Sequence, residues 1–86
     1  MEWIELSSKL SKRELECFCL VIHGKPGREI ARNLGLSPRT IEEYYLNIKS
    51  KLQLQSINEV TDFAFQNNYI SAMPEINEMI SNMRID

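Results

Sequence analysis

The sequence lacks any apolar stretch that approaches the ~18 residues of a membrane-spanning helix. It also lacks the alternation of polar and apolar residues that is typical of β-strands. Near its start the chain carries Glu2 and Glu5, where a secretion signal would carry positive charge. These absences argue against a membrane span and a signal peptide, and they predict a cytoplasmic, all-α protein with no membrane partner.

Cysteine and histidine are scarce. Cys17 and Cys19 stand two residues apart on a predicted helix, so their side chains belong to different helical faces. Together with the single histidine, His23, they do not complete the four ligands of a structural zinc site. No nucleophile or carboxylate pattern accompanies His23, which precedes a predicted helix end at Gly24. We therefore expect buried structural cysteines, no metal, no cofactor and no catalytic residues.

The charge is unevenly distributed. A formal net charge of −2 would oppose a polyanionic partner if it were spread over the whole surface. Residues 8–60, however, hold nine basic and six acidic residues, and both ends are acidic. A solvated surface would explain these bases without any partner, but four of them cluster at or beside the two helices discussed next: Arg28, Arg39, Lys49 and Lys51. Their clustering favours a polyanion as partner.

Residues 30–52 have the pattern of two short helices joined by a tight turn. Ala31 is small where the helices would cross, and Gly35 supplies the positive φ that ends the first helix. Ser37 is a good N-cap for the second helix, with Pro38 at its first position. The second helix then carries an apolar stripe: Ile41, Tyr44, Tyr45, Ile48 and Leu52. This arrangement is typical of a helix-turn-helix.

The opposite face of the second helix, residues 38–52, is polar and is predicted to contain Arg39, Glu42, Glu43, Leu46, Asn47 and Ser50. In helix-turn-helix proteins the second helix places such a face in the major groove of DNA. Glu42 and Glu43 are negatively charged and are therefore repelled by phosphates, although a carboxylate can accept a hydrogen bond from cytosine N4. The acidic pair therefore either reads bases or repels DNA.

Three further helices are predicted, which makes five in all. Ser11 with Glu14 and Ser56 with Glu59 each form the S-x-x-E pattern of a capping box, so a helix is expected after each serine. The helix after Ser56 is expected to bury Ile57, Val60 and Ala64 and to end at a left-handed Asn68. The last helix begins near Pro74 and aligns five apolar residues: Met73, Ile76, Met79, Ile80 and Met83.

Several apolar residues exceed the needs of one small core. Phe63 and Phe65 lie on either side of the core stripe of the fourth predicted helix, which suggests a second contact, interpreted as a dimer interface. The methionine-rich stripe of the last helix fits core packing or a docking surface. Trp3, Ile4 and Leu6 are also too apolar for a free tail, so we expect at least one end of the chain to pack against the domain or a second subunit.

Residues 10–70 resemble the DNA-binding domain of LuxR-type (FixJ/NarL-type) bacterial transcription regulators. The resemblance rests on separated motifs, namely Leu10-Ser11-x-Arg13-Glu14, Gly24, Glu29-Ile30-Ala31-x-x-Leu34, Leu36-Ser37, Thr40-Ile41, Asn47-Ile48, Lys51-Leu52 and Ser56-x-x-Glu59. It implies a four-helix helix-turn-helix domain over residues 8–70, which dimerises through its fourth helix. Residues 1–7 would be an apolar N-terminal segment and residues 71–86 an additional amphipathic helix.

The resemblance also implies roles for individual residues. Thr40 and Lys51 match phosphate-contacting positions, and Arg28 takes a position that is usually lysine in the family. The base-facing positions are occupied by Glu42, Glu43, Leu46 and Asn47. We expect Arg28 and Lys49 to contact phosphates as well. We therefore expect a homodimeric transcription regulator of the bacterial cytoplasm that binds an inverted repeat in double-stranded DNA. The alternative is a module of the same fold that has lost DNA binding and pairs with another regulator protein.

Overall fold

The structure, a computed structural model, describes residues 4–82. These residues form six α-helices and no strand: α1 Ile4–Lys9, α2 Lys12–Ile22, α3 Gly27–Leu34, α4 Pro38–Leu52, α5 Glu59–Gln66 and α6 Met73–Ser81. The all-α prediction is confirmed, as are the five predicted helices, which correspond to α2–α6. The sequence analysis did not predict α1 as a helix. None of the described helices combines the length and the apolar character that crossing a membrane requires.

Helix α2 lies at the centre of the fold and contacts each of the other five helices. Its N-cap is the predicted capping box, because Ser11 Oγ accepts from the Glu14 backbone N–H and the Glu14 carboxylate accepts from the Ser11 backbone N–H. Leu15, Cys17 and Phe18 of this helix are fully buried. The core around α2 therefore draws on side chains from all parts of the described chain.

Both cysteines are buried and free, as expected. Helices pack on several sides of α2, so the different faces that carry Cys17 and Cys19 are both covered. Burial raises the pKa of each thiol to about 12, and the negative charges of Glu14 and Glu16 add to this effect for Cys17 and Cys19 respectively. Both thiols therefore stay protonated at neutral pH and are poor nucleophiles.

The turn between α3 and α4 has the predicted geometry. Ala31 is buried at the crossing, and Gly35 has a φ of 68° in the left-handed region. Ser37 Oγ accepts from the Thr40 backbone N–H at 3.2 Å, and Pro38 occupies the first position of α4. Because this turn fixes where α4 begins, it determines which side chains of α4 face outwards.

Four helices end in the same type of cap, in which a left-handed residue follows the last turn. Two of these residues are glycines, Gly24 and Gly35, and the other two are Gln53 (φ 59°) and Asn68 (φ 63°). The prediction for Asn68 is therefore confirmed. At Gln53 the Leu54 backbone N–H reaches back to the Lys49 carbonyl at 2.8 Å, as in a Schellman motif. Gln53 thus adopts a conformation that is sterically unfavourable for a residue with a Cβ.

The predicted capping box at Ser56 and Glu59 is wrong. Helix α5 begins at Glu59 after Asn58, and no side chain of the described residues caps it there. The carboxylate of Glu59 accepts from the Gln55 backbone N–H at 3.4 Å instead. The physical reason is a turn over residues 56–59, closed by the Glu59 N–H and the Ser56 carbonyl at 3.1 Å, which places Ser56 too early to act as the N-cap. Val60 and Ala64 are nevertheless buried as predicted, and Ile57 is half-buried.

Both ends of the described chain pack against the domain, as expected for at least one of them. Leu6 of α1 is buried, and α6 packs on α2 with Met73, Ile76 and Ile80 buried. Met79 is half-buried against the same core. The described part of the methionine-rich stripe therefore belongs to the core. It leaves no exposed apolar face of α6 that could act as a docking surface. Trp3 and Met83 lie outside the described residues.

Candidate nucleic-acid interface

Helix α4 divides into an inner and an outer face. Ile41, Ile48 and Leu52 are buried, and Tyr44 and Tyr45 are half-buried against the same core. The inner stripe predicted from the sequence is therefore the face that anchors α4. Burial raises the pKa of Tyr45, so its hydroxyl stays protonated and neutral at physiological pH.

The outer face of α4 is fully accessible. All six side chains predicted to face outwards are exposed: Arg39, Glu42, Glu43, Leu46, Asn47 and Ser50. Neither Glu42 nor Glu43 forms an ion pair with any other described residue. Helix α4 has 15 residues and is thus about 22 Å long, so this strip is long enough to lie along a DNA groove. The sequence prediction of an exposed polar face is confirmed.

The N-terminal end of α4 holds Thr40 in place. Its hydroxyl lies 2.9 Å from Ser37 Oγ, which also accepts from the Thr40 backbone N–H. The side chain is half-buried, whereas Arg39 beside it is exposed. The N-cap therefore orients the Thr40 hydroxyl at the helix end where backbone N–H groups and the helix dipole favour an anion.

The C-terminal end of α4 is joined to α2 by an ion pair. Lys51 Nζ lies 2.7 Å from Glu14 Oε1, and the Ser11 backbone N–H donates to the same oxygen at 2.9 Å. The side chain of Glu14 is 5% exposed, whereas that of Lys51 is 41% exposed. Lys51 therefore has one side on a buried carboxylate and another side open to an external anion.

The pKa of Glu14 reflects this network. Burial alone would raise the pKa of the carboxyl, but the hydrogen bonds from Lys51, the Ser11 backbone and the Asn47 side chain, with the Lys51 charge, lower it below 4.5. Glu14 is thus ionised at neutral pH.

Glu14 is the residue that sequence reasoning missed at this site. It was identified only as half of a local capping box, and that role is confirmed. Its second role, holding Lys51 of α4, joins residues that are 37 positions apart. No local sequence pattern signals this pairing, because it depends on how α4 packs against α2.

The remaining predicted phosphate contacts lie around α4. Arg28 is exposed in the first turn of α3, and Lys49 is half-buried in the last turn of α4. The Tyr45 side chain of α4 packs against α3 at the residue before Arg28, because a Cβ on Gly27 would lie 3.2 Å from the Tyr45 hydroxyl. This close packing fixes the first turn of α3, and with it the Arg28 backbone, relative to α4.

The two phenylalanines predicted at a dimer interface differ in environment. Phe63 is half-buried, with its ring 5.7 Å from that of Tyr69. Phe65 is 74% exposed and is the most exposed large apolar side chain in the described part of the protein. Of the pair, only Phe65 therefore offers a largely uncovered apolar surface. Among the described residues no cluster of three potential metal ligands occurs.

The chain is similar in sequence to known bacterial regulatory proteins. The family described as bacterial regulatory proteins, luxR family, matches residues 8–64. The chain is 34% identical over 62 residues to the transcriptional regulatory protein LiaR of Bacillus subtilis, covering 72% of this chain and 29% of that protein. It is 35% identical over 66 residues to the response regulator protein VraR of Staphylococcus aureus, covering 77% of this chain and 32% of that protein. The chain thus spans about 30% of the length of these relatives. No solved structure matches it significantly.

Proposed function

Because this chain belongs to the luxR family of bacterial regulatory proteins, we propose that it binds double-stranded DNA as a transcription regulator, with α4 in the major groove. The observation that carries the proposal is the outer face of α4, which is exposed along its whole length while the inner face is anchored in the core. The family consists of regulatory proteins, so the expectation that the chain is not an enzyme is confirmed.

The proposed contacts divide into two groups. Arg28, Thr40, Lys49 and Lys51 would contact phosphates, because they lie at the ends of α3 and α4 and offer cationic or hydroxyl donors. The base edges would be read from the outer face, which carries Arg39, Glu42, Glu43, Leu46 and Asn47. Residues 8–70 would form the DNA-binding unit, α1 and α6 would extend its core, and a chromosomal partner would place the protein in the bacterial cytoplasm.

A salt titration tests DNA binding. The full chain is titrated with mixed genomic DNA fragments at several salt concentrations, and the logarithm of affinity should fall linearly with the logarithm of salt. Lys51→Ala should flatten this slope by about 0.9 without changing the preferred sequence, whereas Lys51→Arg keeps the charge and should keep the slope. Binding no stronger than that of an unrelated acidic protein would overturn the proposal.

We further propose a homodimer through α5, supported by the exposure of Phe65. A twofold dimer would set two α4 helices about one DNA turn apart and would select an inverted repeat. Sedimentation of the wild-type protein, free and bound to DNA, should show a dimer that Phe65→Ala weakens and that Ile70→Ala, at another exposed apolar side chain, leaves intact. A monomer in both states at high concentration would contradict this part.

A second candidate function is supported by one observation: the carboxylates of Glu42 and Glu43 on the outer face have no ion-pair partner among residues 4–82. In this alternative the fold has lost DNA binding and pairs with a related regulator. The same titration separates the two functions, because a protein-binding module would show no salt-dependent association with DNA.

A further inference from the structure

Leu46 is the only large apolar side chain on the outer face of α4, and 59% of it is exposed. Its neighbours on that face one turn earlier are Glu42 and Glu43, and Ser50 follows one turn later. The same helix buries its other aliphatic side chains, as at Ile41 and Ile48. Leu46 therefore presents apolar surface that the described fold leaves uncovered, in the middle of a polar strip.

The surroundings of Leu46 limit what it can contact. Lys51, five residues later on the same helix, is held by the Glu14 carboxylate of α2. Leu46, by contrast, stays exposed. A partner that fits this position must offer an apolar group to Leu46 and hydrogen-bond donors to the carboxylates beside it.

We propose that Leu46 is a specificity-determining residue that selects a thymine through its C5-methyl group; this inference rests on the proposed function. In the major groove thymine is the base whose edge carries a methyl group, beside its O4 acceptor. The other bases offer a leucine no methyl group, and a leucine would leave their donors or acceptors unpaired. Glu42 lies about 6 Å from Leu46 along the helix axis, which is about two base-pair steps. The selected thymine is therefore expected within about two base pairs of a base whose amino group donates a hydrogen bond to the Glu42 carboxylate.

Removal of single methyl groups from the DNA tests the inference. Duplexes selected from a random library by the full chain are resynthesised with one thymine at a time replaced by deoxyuridine, and their affinities are measured by fluorescence anisotropy. At one thymine per half-site the replacement should weaken wild-type binding about fourfold, as expected for the loss of one buried methyl group. Replacement of any thymine that does not contact Leu46 should leave the affinity unchanged.

Variants of Leu46 connect the effect to this side chain. Leu46→Ala should bind the thymine and deoxyuridine duplexes equally, whereas Leu46→Met keeps an apolar contact and should retain the difference. Ile70→Ala, at an exposed apolar side chain outside α4, should behave as wild type. Because Leu46 is exposed, its variants should keep the wild-type melting temperature, which circular dichroism checks.

The outcomes are distinguishable. A library that yields no enriched sequence overturns the proposed function itself. Enrichment with no methyl-sensitive thymine, or a thymine preference that Leu46→Ala retains, overturns the inference about Leu46 and leaves DNA binding in place. The inference about Leu46 is established if removal of one thymine methyl group weakens binding of the wild-type and control proteins but not of Leu46→Ala.

Discussion

Lys51 Nζ lies 2.7 Å from Glu14 Oε1, so the last turn of α4 is tied to the N-cap of α2 through a carboxylate that is almost completely buried. One oxygen of Glu14 completes the capping box and also accepts from the lysine. The last turn of α4 is therefore held in part by a residue that lies on another helix and is itself buried.

This ion pair predicts an acid-dependent loss of stability. The pKa of Glu14 is lower in the folded chain than its ordinary value of 4.5, so its stabilising effect is fully present above about pH 4.5. That effect is lost as the pH falls through the folded pKa. At pH 7, Glu14→Gln should reduce the free energy of unfolding by about 1–2 kcal/mol, and urea denaturation should show this difference shrinking below pH 4.

The matched control is Glu16→Gln, which removes an ion pair with Arg13 on a more exposed part of α2. A partly exposed i,i+3 pair contributes little, so its removal should change the free energy by less than about 0.5 kcal/mol. If the free energy of unfolding depended on pH equally in Glu14→Gln and in the wild-type protein, the ionised Glu14 side chain would not stabilise the fold.

A second prediction concerns the left-handed residue that ends α4. Gln53 has a φ of 59°, a conformation that glycine adopts without steric cost. Gln53→Gly should therefore raise the free energy of unfolding by about 0.5–1 kcal/mol, measured by urea denaturation.

The opposite change at Gly35 is the control. No atom lies within 4 Å of where its Cβ would be, so Gly35→Ala should lower the free energy by about 1 kcal/mol through backbone strain alone. If Gln53→Gly destabilised the protein, side-chain contacts of Gln53 would outweigh the strain.

The third prediction tests α6 as part of the core. Ile76 is completely buried where α6 packs on α2, so Ile76→Ala should lower the free energy of unfolding by about 2–4 kcal/mol. Glu78→Ala, on the exposed side of the same helix, should change it by less than about 0.5 kcal/mol. Removal of residues 71–86 should lower the melting temperature as well, and a truncated protein that melts like the full chain would contradict core packing.

The fourth prediction distinguishes the two functions proposed for the acidic pair. If Glu42 reads a cytosine, Glu42→Ala should relax the preference at one base position by about 1–3 kcal/mol and leave non-specific affinity equal or higher. Glu43→Ala is the comparison, measured on the same selected duplexes. If both variants bound every sequence more tightly by the same factor, the acids would only repel DNA, and the alternative of a fold without DNA binding would be favoured.

Local features of the fold could be predicted because their causes are local. The cap at Ser37, the left-handed Gly35 and Asn68, and the inner stripe of α4 each depend on residues within a few positions of one another. Ser56 shows the limit of this reasoning. The S-x-x-E pattern is present, but an early turn displaces the helix start, so the motif does not cap α5.

The sequence by itself determined the helical periodicity, the helix-turn-helix and the outward placement of Arg39, Glu42, Glu43 and Leu46, because 3.6 residues per turn converts spacing into a face. Only the tertiary structure decided which side chains contact residues of other helices. The bond from Lys51 to Glu14, the ring contact of Phe63 with Tyr69 and the burial of Ile76 depend on how helices pack. Such contacts join residues distant in sequence, and no local pattern encodes the angle and distance at which two helices meet.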